Sequence, residues 1–390
     1  MLVLSFKKLS AFFSALLLLT ALLIQSAQAQ VMIPAAPQLS ATAWILIDAN
    51  SGKVITEHNA DQRIPPASLT KMMTSYLLEY ELKQGNVALD DMVRISVKAW
   101  RTPGSRMFIR EGTYVSISDL LRGVIIQSGN DASVAVAEHL AGSEESFADI
   151  MNQHASAMGM KNTQFRNATG LPEDQHYSSA RDLALLSQVK ILDYPEHYAI
   201  YSEREFTYNN ITQSNRNRLL WRDNTVDGLK TGHTDDAGYC LAASAEREGM
   251  RLISVVMGAR SDEGRAQESQ KLLTYGFRYF ETTRLYKQYQ VLDTAKIWKG
   301  ANSSVQLGLT EDLYATLPRG YESNLKADIQ INPNIKAPIN AGEILGNLVI
   351  SLGDEVITQK PLVALENIEK AGFFKRLWHS LVIFFIGLFS

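Results

Sequence analysis

Strand and helix patterns are segregated along this chain. Strand patterns lie at 44–57 and again from 225 to 258, and helical patterns fill most of the stretch between. A sheet assembled from both ends of a region, with the intervening helices packed on it, is an α+β architecture. Trp44 to Asp48 and Lys53 to Glu57 read as a hairpin turned by Asn50-Ser51-Gly52. Pro65-Pro66 then halts regular structure, and a helix is predicted from Ser68 to Gln84, closed by Gly85. Its apolar residues Leu69, Met72, Met73, Tyr76, Leu77 and Tyr80 have the spacing of one buried helical face, and Leu78, off that face, allows burial on a second side.

Residues 118–142 read as two helices separated by Ser128-Gly129-Asn130, and another helix runs from Ser143 to Met158. Residues 166–181 lack periodicity and read as a loop, and Ala180-Arg181-Asp182-Leu183 begins the next helix. Val226 to Thr231, Gly238 to Ala245 and Arg251 to Gly258 are predicted strands, the last two antiparallel. Beyond 286 the pattern changes. Val305, Leu307 and Leu309 alternate with polar residues, as do Leu325, Ala327, Ile329 and Ile331, and Leu348, Ile350 and Leu352. Pro318, Pro333 and Pro338 punctuate these runs, so a small all-β domain is expected over 281–365, after a catalytic domain over 30–280.

The two ends carry targeting signals. Lys7 and Lys8 precede an apolar run from Leu9 to Ile24, and Ala27-Gln28-Ala29 is a small-x-small cleavage site. Residues 1–29 therefore read as a secretory signal peptide, with an uncleaved anchor as the rival reading and Gln30 as the mature start. Its removal takes the formal net charge from −3 to −5, and no basic excess marks a nucleic-acid partner. At the other end, every residue from Leu381 to Phe389 is apolar or Gly, and Lys375, Arg376 and His379 precede it among Phe373, Phe374, Leu377 and Trp378. The run from Leu377 is too short for a standard span of roughly 20 residues. Aromatics with cations suit a headgroup interface, so 366–390 reads as a monotopic membrane anchor. A short tilted span and a helix docked in the core are the alternatives.

An exported chain with one cysteine, Cys240, has no intrachain disulfide and must rely on its core. Cys240 lies in the apolar run Tyr239-Cys240-Leu241-Ala242 and reads as a small buried residue. The seven histidines show no metal-ligand spacing, and neither a metal nor another cofactor is expected.

Three short motifs complement one another: Ser68-Leu69-Thr70-Lys71, Ser128-Gly129-Asn130 and Lys230-Thr231-Gly232. A serine hydroxyl is a weak nucleophile and needs a base. Lys71, at i+3 on the same helical flank, serves if its amine is neutral, and burial, Lys230 and the helix N-terminus all push it that way. Arginine, which stays protonated, is no substitute. Ser128 is placed to relay a proton to a leaving group, and Asn130 to bond both Lys71 and a substrate. Gly129 permits a special backbone geometry at that turn. Lys230 and Thr231, ending a strand, suit a substrate carboxylate, and Gly232 leaves room for a peptide added along the strand. The backbone N–H groups of Ser68 and His233 are candidates for an oxyanion hole. Taken singly, Ser68 and Lys71 also fit a solvated helix surface, and Ser128-Gly129-Asn130 an ordinary helix-helix turn.

In this order and spacing the trio resembles the penicillin-recognising serine acyl transferases. From about Trp44 to Val363 the chain resembles the low-molecular-mass penicillin-binding proteins, and among them the type-5 D-alanyl-D-alanine carboxypeptidases. The supporting stretches are Pro65 to Thr74, Gln127 to Ala132, Ser178 to Asp182 and Asp227 to Thr234. The resemblance implies removal of the terminal D-Ala from peptidoglycan stem pentapeptides through an acyl-enzyme on Ser68. It also implies acylation of that serine by β-lactams, and a site at the periplasmic face of the inner membrane. It adds Arg216, Arg265 and Ser105 around the substrate, and it ties the 166–181 loop to deacylation. A serine β-lactamase is the nearest rival, but no Glu-x-x-Leu-Asn pattern is present. A non-catalytic membrane-tethered cell-wall binding protein is the rival from another class.

Overall fold

The structure, a computed structural model, describes residues 33–389, with side chains described to residue 385. The signal peptide and the mature start at Gln30 lie outside the described residues. Five antiparallel strands form the main sheet: β1 (Ala43–Asp48), β2 (Val54–His58), β3 (Val226–Thr234), β4 (Gly238–Arg247) and β5 (Met250–Ala259). Their order is β2-β1-β5-β4-β3, so both sequence ends of the region build one sheet and β3 is an edge strand.

Every residue of β1 is buried, because both faces of the sheet are covered. Ile45 and Ile47, opposite Val255 and Ile253, join the core shared with the intervening helices. Trp44 and Leu46 face a second core with Leu272, Leu273 and Phe277. Those last three belong to a helix over Asp262–Tyr279, which the sequence reading leaves out. Its start carries an N-cap: Ser261 Oγ accepts from Gly264 N at 2.9 Å, with Asp262 and Glu263 in the first turn. Gly276 lets this helix approach the sheet, since a Cβ there would lie 2.5 Å from Leu252 Cδ1. The unbroken apolar run Trp44 to Ile47 is the sequence sign of this two-sided burial.

Between the sheet's two halves stand α1 (Lys71–Gln84), α2 (Ile117–Ile125), α3 (Asn130–Ala141), α4 (Glu144–Ala157) and α5 (Ala180–Asp193). α1 is the central helix, in contact with the other four. It departs from the predicted helix at its start: Ala67–Thr70 is a 3-10 turn carrying Ser68, and the α-helix begins at Lys71. From Lys71 to Glu79 every residue is buried, so α1 is enclosed on all sides and not on one face. Its polar residues are bonded internally: Thr74 Oγ1 donates to Ala168 O at 2.7 Å, and Glu79 pairs with Lys190 of α5 at 2.6 Å.

After the Asp262–Tyr279 helix the chain is β-structure to residue 364 apart from a 3-10 turn at Glu322–Asn324, with a two-stranded sheet and a five-stranded one around their own apolar clusters. Thr282 Oγ1 donates to Asp48 Oδ2 at 2.7 Å and ties this region to the β1–β2 turn. The terminal helix, α6 (Phe373–Phe389), is not docked in the core, because Phe374 and Trp378 are 84% and 65% exposed. Polar contacts hold its first turns: His379 Nδ1 accepts from Lys299 N at 2.8 Å, and Lys375 Nζ donates to Ala301 O at 2.9 Å. No described helix is long and apolar enough to cross a membrane.

Candidate active site

The three motifs converge where the start of α1 meets the edge strand β3. Lys71 Nζ lies 3.1 Å from Ser68 Oγ, 2.7 Å from Asn130 Oδ1 and 2.5 Å from the Thr169 carbonyl. Lys71 is fully buried, and that desolvation brings its amine down to about 7, with the Arg216 guanidinium adding to the effect. Lys230 is buried as well and donates to Ser128 Oγ at 2.9 Å. Burial, then Lys71, Arg216 and Arg265, hold its amine well below the ordinary lysine range.

Ser128, Gly129 and Asn130 are set differently from the sequence expectation. The left-handed backbone falls on Ser128, at φ 58°, and Gly129 is extended at φ −64°. Gly129 is needed for space: a Cβ would meet Asp131 Oδ1 at 2.8 Å and Met107 N at 3.2 Å. Asn130 is the first residue of α3, and its amide also donates to Pro103 O at 2.6 Å.

Lys230-Thr231-Gly232 lies inside β3, which continues to Thr234. Gly232 brings the strand against the nucleophile turn, because a Cβ would sit 3.0 Å from Pro66 O and 3.2 Å from Ser68 N. His233 is exposed, its ring 4.0 Å from that of Tyr239. Arg216 is exposed and donates to Ser105 Oγ at 2.8 Å, and the Ser105 carbonyl accepts Asn130 N at 2.7 Å. These three residues join the 103–106 loop to the site. Arg265 is buried and donates to Gly232 O at 2.9 Å, so it braces β3 from behind. Cys240 is buried, its thiol pushed up to about 11 by desolvation.

Three positioning residues escape the sequence reading. Asp131 is buried and accepts from Met107 N, Phe108 N and Ile109 N at 3.0, 2.9 and 3.3 Å, which fixes the loop above the site. Its place directly after Ser-Gly-Asn was the available signal. Thr169 acts through its carbonyl, for which side-chain identity gives no signal. Asn167 orders that carbonyl, accepting from Thr169 N and Gly170 N at 3.1 and 2.8 Å, and Asn-x-x-Gly is turn chemistry visible in the sequence.

A nucleophile, a buried amine and an edge strand meet at one place, and the chain that brings them together matches a known family. Residues 30–261 match the family model for D-alanyl-D-alanine carboxypeptidase. The chain belongs to this carboxypeptidase family. Residues 280–370 match the C-terminal domain of penicillin-binding protein 5. The chain is 48% identical over 358 residues to the D-alanyl-D-alanine carboxypeptidase DacC of Escherichia coli, covering 90% of each chain. Among solved structures it resembles penicillin-binding protein 5 of Haemophilus influenzae, with a TM-score of 0.82, 44% identity, and coverage of 86% of this chain and 100% of that one. It also resembles penicillin-binding protein D2 of Listeria monocytogenes in its ampicillin-bound form, with a TM-score of 0.57, 33% identity, and coverage of 62% and 100%. The penicillin-recognising fold and its C-terminal all-β domain are common to this chain and its relatives.

Proposed function

We propose that this carboxypeptidase-family chain removes the terminal D-Ala from peptidoglycan stem pentapeptides through an acyl-enzyme on Ser68. The observation that carries this reading is the 3.1 Å approach of a buried Lys71 amine, at about 7, to Ser68 Oγ. Near neutral pH a large share of that amine is unprotonated and able to take the serine proton. Ser68 Oγ then bonds to the carbonyl carbon of the penultimate D-Ala. The backbone N–H groups of Ser68 and His233 receive the developing oxyanion. Ser128, bonded to Lys230, passes a proton to the departing D-Ala amine as the C–N bond breaks. Lys230, Thr231 and Arg216 hold the terminal carboxylate, Gly232 and the open edge of β3 seat the peptide, Ser105 orients Arg216, and Arg265 keeps the strand in place. Water then hydrolyses the ester and frees Ser68.

β-Lactams present the same carbonyl and carboxylate, and the likeness to an ampicillin-bound protein supports acylation of Ser68 by them. The mature chain, from Gln30, is placed at the periplasmic face of the inner membrane, with residues 30–280 catalytic, 281–365 a β domain and 366–390 a peripheral anchor. The exposed Phe373, Phe374 and Trp378 support that anchor.

Purified protein is expected to release D-Ala from a diacyl-Lys-D-Ala-D-Ala peptide and to carry labelled penicillin on Ser68. An unmodified mass after penicillin treatment defeats the acyl-enzyme reading. D-Ala release by Ser68→Ala defeats the choice of nucleophile.

A further inference from the structure

The loop between α4 and α5 meets the nucleophile turn through His176, a buried residue without a part in the chemistry above. Nδ1 of His176 accepts the backbone N–H of Arg166 at 3.1 Å, and Nε2 lies 2.8 Å from Thr70 Oγ1. A backbone N–H only donates, so Nδ1 is the acceptor and the ring hydrogen sits on Nε2. The ring therefore donates to Thr70, the residue beside Lys71 on the turn that carries Ser68. Burial, then the charges of Lys71 and Arg166, bring the imidazole down to about 4, so the neutral ring is the ordinary form.

The two segments also touch directly. A Cβ on Gly170 would fall 1.8 Å from Ala67 O and 2.9 Å from Thr70 Oγ1. The neighbouring residue in that loop, Thr169, supplies the carbonyl that accepts from Lys71. His176 thus grips both sides of one seam: the turn holding nucleophile and base, and the loop holding the base's acceptor.

We propose that His176 is a positioning residue for acylation, which locks the Ser68 turn to the 166–176 loop through Thr70 and so fixes Lys71 between Ser68 Oγ and Thr169 O. The inference rests on the reading that Ser68 is the residue acylated. Displacing a reacting group by a fraction of an ångström slows a step without weakening ground-state binding. A bonding role is separable from space filling. Glutamine offers an acceptor to Arg166 N–H and a donor to Thr70, and phenylalanine keeps the ring's shape and offers neither.

The test follows acylation of the full chain by benzylpenicillin in stopped flow, separating the non-covalent dissociation constant from the first-order acylation rate. His176→Phe is expected to lower the acylation rate about tenfold or more, with the dissociation constant unchanged. His176→Gln is expected to stay within about threefold of wild type, and Thr70→Val to reproduce the Phe loss. The Thr70→Val/His176→Phe double variant is expected to be no slower than either single one. Wild-type acylation by His176→Phe or Thr70→Val overturns the proposal, as does a His176→Gln as slow as His176→Phe, or single losses that multiply in the double variant. If His176→Phe does not fold, Thr70→Val and His176→Gln decide the question. A wild-type chain that penicillin does not acylate defeats the underlying function instead, which is distinct from slow variants of an acylating enzyme.

Discussion

Lys230 Nζ donates a 2.9 Å hydrogen bond to Ser128 Oγ, joining the edge strand to the start of α3 across 102 positions of chain. The two side chains act as one device, so their losses are not additive. Ser128→Ala and Lys230→Ala are each expected to lower kcat/KM on a D-Ala-D-Ala peptide by roughly a hundredfold, and the double variant to fall little further. Steady-state kinetics on the three proteins check this, and multiplied losses would separate the two roles.

The Lys71 amine, at about 7, sets the pH dependence of acylation. Its active form is neutral, so the acylation rate should rise with pH through about 7 and fall away on the acid side. Lys71→Arg should abolish this limb and lower acylation by about a hundredfold or more, since guanidinium keeps its proton. The same shift touches stability. Between about 7 and the ordinary 10.5, the unfolded chain binds more protons at this residue than the folded one, so its contribution to stability rises with pH across that window. Lys71→Met should therefore raise Tm relative to wild type most clearly below pH 7, as thermal scans across pH will show.

Gly170, at φ 81°, admits no side chain against the nucleophile turn. Gly170→Ala is expected to displace the 166–176 loop and to lower acylation at least tenfold, with secondary structure by circular dichroism preserved. Wild-type acylation would mean that the loop yields without consequence.

Glu79 and Lys190 form an ion pair with side chains 1% and 0% exposed. Burial raises the carboxyl and lowers the amine, so both are driven toward neutrality. Lys190→Met alone should cost about 3–5 kcal/mol, because it leaves the buried Glu79 carboxyl without its partner. Glu79→Leu/Lys190→Met should recover most of that loss. Urea unfolding of the two variants distinguishes the outcomes.

Deleting residues 366–390 is expected to release the protein from anionic vesicles in co-sedimentation while leaving peptide hydrolysis unchanged. Phe374→Asp/Trp378→Asp should weaken binding in the full chain, since both side chains are exposed. Vesicle binding by the truncated chain would place the membrane contact elsewhere.

Much of the site was legible because its chemistry is carried by side chains in fixed local spacing. Ser68 and Lys71 announce a nucleophile and base within one turn, and Gly232 after the predicted strand through Lys230 announces an extended partner. What escaped the sequence was carried by backbone or by distant packing. The Thr169 carbonyl has no residue signature. The positive φ falls on Ser128, where residue type does not announce it, and Gly129 is held by space, with Asp131 and Met107 leaving no room for a Cβ. In the fold, the Asp262–Tyr279 helix was masked by its low apolar density before Leu272, although Ser261 and its acidic first turn mark the start. The hydrophobic spacing of α1 pointed to a face, with Leu78 allowing a second side, and tertiary packing enclosed every residue from Lys71 to Glu79.

The bonds from His379 to the Lys299 amide and from Lys375 to Ala301 O pin the first turns of the terminal helix to the β region, where a free linker would leave a leash. A leash lets an enzyme roam through a volume set by linker length. A pinned helix fixes standing height, so under the anchor proposed above the catalytic domain would work in one thin layer of wall, and lengthening residues 365–372 is expected to change that layer.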